Sequence, residues 1–242
     1  MGTAQRTTRP VPPAAPDGDP VVRREPDVNR TVVVLGGPDP RVSTWCRSTG
    51  RARRAAPDGS LTAVAPRAAL VDRARRVART RTAVLVNPGA THSTRSSIVA
   101  GPIVAGPIVA GPIVAAVQRL PEDEALIVAA AECAAVTGTR LVILHAVPRS
   151  FGERSVGIAE ALAHASAVVR DAAAIAAAAA PDVDVTTRVV RARPHEVVGE
   201  DLDASLLLVG GARSGHDEQL GLVTLSALHH APCAVLIVPR LA

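Results

Sequence analysis

The sequence predicts an α/β fold: a five-stranded parallel sheet with helices on both faces, preceded by a degenerate basic N-terminal segment. Residues 113–242 alternate short apolar runs with helical patterns in the order β-α-β-α-β-α-β-α-β. Gly and Pro punctuate the ends of those runs, as strand and helix boundaries require. Charge is divided unevenly: residues 1–95 carry 17 Arg against 7 acids, and residues 96–242 carry 10 Arg against 15 acids. The halves therefore differ in character, and only the first is basic.

The elements follow in order. Residues 1–30, rich in Pro, Asp, Arg and Thr, read as a disordered tail. Residues 31–89 read as a truncated α/β segment. Within it Thr31–Gly37 (TVVVLGG) is a strand, residues 38–60 give no usable pattern, and Pro66–Arg81 is a helix with Leu70, Ala74, Val77 and Ala78 on one face. Thr82–Val86 is a strand ended by Asn87-Pro88-Gly89. Residues 90–112 are a linker in which IVAGP occurs three times. Ile98 to Val117 is uncharged and long enough to span a bilayer. Pro102, Pro107 and Pro112 each delete a helix hydrogen bond, so no membrane span is expected.

From Ile113 the pattern is regular. Ile113–Val117 is a strand. Pro121 opens a helix whose first turn carries Glu122, Asp123 and Glu124, matched to the helix dipole, and Gly138 stops it. Arg140–Val147 is a buried strand. Ser155–Ala180 is a long helix with Ile158, Leu162, Ala165, Val169, Ala172 and Ala176 on one stripe, ended by Pro181. Val183–Val190 is a strand, Pro194 opens a short helix, Ser205–Gly211 (SLLLVGG) is a fully apolar strand, Asp217–His230 is a helix, and Cys233–Val238 is the last strand. Ligands in such sheets bind at the carboxyl ends of strands where the strand order reverses, which selects the loops after Val117 and Val209.

Composition bounds the chemistry. With 48% hydrophobic and 20% charged residues, the 242-residue chain can bury a core. Aromatics are 1%, so that core is aliphatic and base stacking is nearly unavailable. All 27 basic residues are Arg, which removes Walker A phosphate binding and Schiff-base chemistry. Cys46, Cys133 and Cys233 are odd in number and far apart, with no metal spacing; a reduced, cytoplasmic compartment is expected. No apolar leader pattern opens the chain, so secretion is not expected.

Residues 113–242 resemble the universal stress protein family over their whole length. The resemblance rests on IVAAV followed by a Pro-led acidic helix and RLVILHAV, on RARPHEVV before an apolar strand, and on His229-His230-Ala231-Pro232-Cys233 followed by AVLIVP. It implies a Rossmann-like, adenine nucleotide alpha hydrolase-like domain with a stress-response or signalling role and no substrate turnover. It also implies an ATP-type site, for which Val117, Gln118, Ala146, Gly210, Gly211, Arg213, Gly215, Gly221, Val223 and Thr224 are the candidates. The family's Asp after the first strand is here Gln118, its second loop glycine is Arg213, the loop before Gly221 is two residues shorter, and Leu222 replaces a hydroxyl residue. A bulky Cβ blocks backbone approach to phosphate, while Arg119 and Arg213 add cations; retention and loss of ATP both stay open. No metal is implied. The resemblance further implies a homodimer through the last strand, Cys233 to Val238.

The alternatives are a ligand-free interaction module, favoured by the degenerate loop, and a weak nucleotide hydrolase resting on Arg213 and His216. Nonspecific nucleic-acid binding through the Arg-rich half has charge alone behind it and is not expected. His216, Asp217 and Glu218 read as helix-capping residues more readily than as acid–base groups. His229 and His230 point about 100° apart on a helix and make a poor chelate. His145 fits a core or a pocket wall equally, and the cysteines read as small core hydrophobes. Residues 31–89 are either a truncated first copy of the domain, since TAVLVNP echoes AVLIVP, or an unrelated segment.

Overall fold

In the computed structural model the described residues are 31–36, 39–55, 67–78, 82–87, 111–147, 155–199, 201–211 and 220–240. The expected tail at 1–30 and all but the last two residues of the 90–112 linker lie outside them. The basic half contributes β1 (Thr31–Gly36), α1 (Pro40–Ser48), β2 (Ala52–Ala55), α2 (Arg67–Ala78) and β3 (Ala83–Asn87). The remainder contributes β4 (Ile113–Ala116), α3 (Glu124–Thr137), β5 (Leu141–Val147), α4 (Ser155–Ala179), β6 (Val185–Arg191), α5 (Pro194–Val197), β7 (Leu206–Gly210), α6 (Leu222–His230) and β8 (Ala234–Val238).

The five C-terminal strands form the expected parallel sheet, with β4 between β5 and β7 and with β8 outside β7. The sheet does not stop there. β1, β2 and β3 join it to give eight strands in the order β2-β1-β3-β8-β7-β4-β5-β6. Within the basic half the pairing is parallel, and the junction between β3 and β8 is antiparallel. This corrects the expectation that the last strand offers its edge to a second copy: β3 of the same chain covers it. Ile113–Ala116, at the end of the uncharged run, is a central strand hydrogen-bonded on both sides, as the proline pattern predicts for a non-membrane segment; residues 98–110 of that run lie outside the described residues.

Helices cover both faces. Strand residues alternate between two cores, as the period of two requires. Leu85, Ile113, Ile143, Leu206 and Leu236 point to the face covered by α1, α3 and α4, and Val84, Val114, Leu207 and Ile237 to the face covered by α2 and α6. The core is aliphatic, with Trp45 its largest member. The basic half shares both cores with the rest, so one packed unit results.

The segment at 38–60 holds two elements that its sequence concealed. Asp39 caps α1: its Oδ1 accepts from the amides of Arg41 and Val42 at 2.8 and 3.2 Å, and Pro40 takes the first helical position. The Asp-Pro pair was the available signal. The helix beginning near Pro121 starts later than expected, at Glu124, because residues 119–123 form a turn in which the Asp123 amide donates to the Arg119 carbonyl at 3.1 Å. It ends at Gly138, with φ 63° and its amide bonded to the carbonyls of Ala134 and Ala135. Added methyl at Gly138 meets nothing within 4 Å, so Gly138→Ala is expected to cost only the left-handed backbone penalty. That is about 1–2 kcal/mol, readable as a lower urea midpoint; an unchanged midpoint would remove this reading of the cap.

Candidate functional site: a filled crevice where the strand order reverses

The chain leaves β4 toward β5 and later returns to place β7 on the opposite side, so the sheet opens a crevice at the carboxyl ends of β4 and β7. Two of the predicted site residues come together there. Gln118 follows β4 with its side chain exposed, and Gly210 ends β7. Gly211 is held beside them by its amide, which donates to the Val238 carbonyl at 2.7 Å. Thr224, buried in the first turn of α6, donates its hydroxyl to the Gly210 carbonyl at 2.6 Å. Val117 is buried; its amide donates to the Leu144 carbonyl, and its carbonyl is 3.0 Å from Nδ1 of His145. A carbonyl only accepts, so that nitrogen carries the proton. Burial holds His145 below the usual imidazole range, an effect that outweighs the bond to Val117.

The other candidates contribute less. Ala146 is half-buried on β5, two strands from β7. Gly221 is the exposed residue before α6 and makes no side-chain cap, and Val223 is half-buried. Arg213 and Gly215, with His216, Asp217 and Glu218, lie outside the described residues.

Two residues that the sequence did not single out as site residues occupy the crevice. Asp123 is fully buried, with 0% exposure. Its carboxylate accepts from the amides of Gln118 and Arg119 at 2.7 and 3.0 Å, and from Nε of Arg240 at 2.7 Å and Nη2 at 3.3 Å. Arg240, whose side chain is 10% exposed, also donates from Nη2 to Oε1 of Gln118 at 3.3 Å. The pair therefore bridges the loop after β4 to the segment after β8. It also lies on Gly210: a Cβ there would stand 2.5 and 2.8 Å from Nε and Nη2 of Arg240, and 2.8 Å from Oδ1 of Asp123. The space that a glycine opens at the strand end is filled by the chain's own guanidinium and carboxylate.

Chemically this arrangement is a satisfied ion pair. Four donors surround one carboxylate in a setting of low dielectric, where such bonds are strong and leaving one unmade is costly. Sequence reading took Asp123 for a dipole-matched acid in a first helical turn. Its contact with Arg240 spans 117 residues, and no local signal announces that distance. Among the described residues no group of three His, Cys, Asp or Glu side chains could hold a metal ion. Burial raises the pKa of all three thiols, that of Cys233 to about 12, which makes them packing groups and not nucleophiles at neutral pH.

Fold and crevice together define a doubly wound α/β domain with an internal ion pair at its switch point. The family model of the universal stress protein family matches residues 110–239, and the chain belongs to that family. Solved structures it is similar to include a universal stress protein in complex with cAMP, at 24% identity over 54% of this chain and 98% of the other, with a TM-score of 0.41. The universal stress protein from Archaeoglobus fulgidus in complex with dAMP matches at 19% identity over 55% of this chain and 99% of the other, with a TM-score of 0.42. A protein of unknown function from Pseudomonas aeruginosa PAO1 matches at 15% identity over 87% of this chain and 92% of the other, with a TM-score of 0.49. No curated protein sequence matches the chain.

Proposed function

We propose that this universal stress protein works as a nucleotide-free interaction module: it acts through protein contacts, without turnover and without resident ATP. The observation that carries the reading is the Arg240–Asp123 pair seated against Gly210. A nucleotide entering between the ends of β4 and β7 has to displace that pair. Separating a buried, hydrogen-bonded ion pair costs about 3–5 kcal/mol. Since each ~1.4 kcal/mol is tenfold, a micromolar site falls to roughly millimolar. Two further features point the same way. The Thr224 hydroxyl is already committed to the Gly210 carbonyl, and Leu222 stands where the family pattern carries a hydroxyl residue.

The test is equilibrium dialysis of the full-length protein against ATP, with acid extraction of any co-purifying nucleotide. No co-purifying nucleotide and no saturation below about 1 mM are expected. Micromolar saturation would overturn the proposal and reassign Arg240 as a phosphate ligand, in which case Arg240→Ala would abolish binding.

A further inference from the structure

The basic half repeats the edge of the C-terminal domain in sequence and in register. Residues 82–88, TAVLVNP, match residues 233–239, CAVLIVP, position for position, and residues 31–37, TVVVLGG, match residues 205–211, SLLLVGG. The strand pairing preserves these matches. Val32 lies opposite Ala83 where β1 pairs β3, and their counterparts Leu206 and Ala234 lie opposite each other where β7 pairs β8. At the antiparallel junction Leu85 faces Leu236, its own counterpart. Val84 faces Ile237 and Val86 faces Val235, and exchanging each residue for its counterpart turns one of these pairs into the other. This is the register that a two-fold axis between Leu85 and Leu236 produces, as in an isologous contact between two copies of one strand.

We propose that the basic half is a covalently attached stand-in for a second copy of the domain, so that the full chain is a monomer whose β8 edge is closed from within. β1 makes the short form possible. It sends α1 to the face of α3, as β4 sends α3, and it also pairs with β3 as β7 pairs with β8. One strand thus takes the place of two. Contacts across the junction hold the half in position: Nη1 of Arg41 donates to the Ser205 carbonyl at 3.2 Å, and Nε1 of Trp45 donates to Oε2 of Glu132 at 2.9 Å. The strands now outermost discourage further pairing. β2 has four residues and exposes Arg53, and β6 exposes Arg188.

Light scattering from low to high micromolar concentration is expected to give the single-chain mass of 24.8 kDa throughout. A mass approaching twice that value would overturn the proposal. Val86→Pro in the full chain removes an amide that bonds β8 and is expected to raise the mass toward a dimer by uncovering that strand. A folded, monomeric Val86→Pro protein would also overturn it. Amide exchange on the wild-type chain decides the matter if that variant does not fold. The amides of Val235 and Ile237, which point to β3, are expected to stay protected at every dilution, and protection lost on dilution would mean that the edge is covered by another molecule.

Discussion

Asp123→Ala is expected to lower the unfolding free energy by about 3–5 kcal/mol. The substitution strands four donor atoms: the amides of Gln118 and Arg119 lose their shared acceptor, and Nε and Nη2 of Arg240 are left in the crevice without their carboxylate. An uncompensated buried charge is the costly part. Urea denaturation followed by far-UV circular dichroism reads the effect. A double variant separates electrostatics from packing. Asp123→Leu with Arg240→Met removes both charges while keeping bulk, and is expected to recover most of the stability lost by Asp123→Ala. A loss below about 1 kcal/mol for Asp123→Ala would mean that the pair is solvated, as exposed pairs are, and the filled-crevice reading would fall with it.

Trp45→Ala is expected to cost a similar amount, about 3–5 kcal/mol. The indole is 2% exposed and sits where α1 packs on α3. It donates to Glu132, and the Arg51 guanidinium stacks over its ring at 4.4 Å while pairing with the same carboxylate at 3.1 Å. Removing the ring therefore opens a cavity, ends the cation–π contact and loosens the helix contact that ties the basic half to the domain. Trp45→Phe preserves most of the volume and leaves Glu132 its bond to Arg51, so a loss nearer 1 kcal/mol is expected. Trp45 is the single tryptophan. Its fluorescence in the wild-type chain reports the docking of α1 on α3, and its urea midpoint should coincide with that of circular dichroism if the two halves unfold together. An earlier fluorescence midpoint would show that the basic half detaches first.

The C-terminal domain was legible because its signals are local. SLLLVGG, RLVILHAV and CAVLIV are strands by composition and length, and Gly138 and Pro181 mark helix ends by backbone chemistry. The strands and the long helix α4 lie within two residues of their expected bounds; α3 starts three residues later than expected, at Glu124, and α6 starts at Leu222, after an extended Gly221, and not at Asp217. The basic half was partly legible. β1, α2 and β3 follow from their patterns, whereas α1 and β2 are short and carry Arg at every few positions, which masks their periodicity. Asp39-Pro40 marked the helix start nonetheless. The crevice itself was legible as a place, between the ends of β4 and β7, but not as a filled one.

The sequence by itself determined the α/β class, the order of the elements from Ile113 onward, the position of the reversal in strand order and the absence of lysine chemistry. All of these depend on residues within one turn, one strand or one count. Tertiary structure alone decided which edge β8 presents, and to what. It also decided that Arg240 reaches Asp123 across 117 residues and closes the space over Gly210. The physical reason is the same in both cases. A strand edge or a buried charge accepts any complementary partner, and the local sequence does not say which partner arrives. A segment of the same chain is present at an effective concentration of order millimolar, well above that of a second molecule. Leu85 therefore meets Leu236, and Arg240 meets Asp123, within one chain.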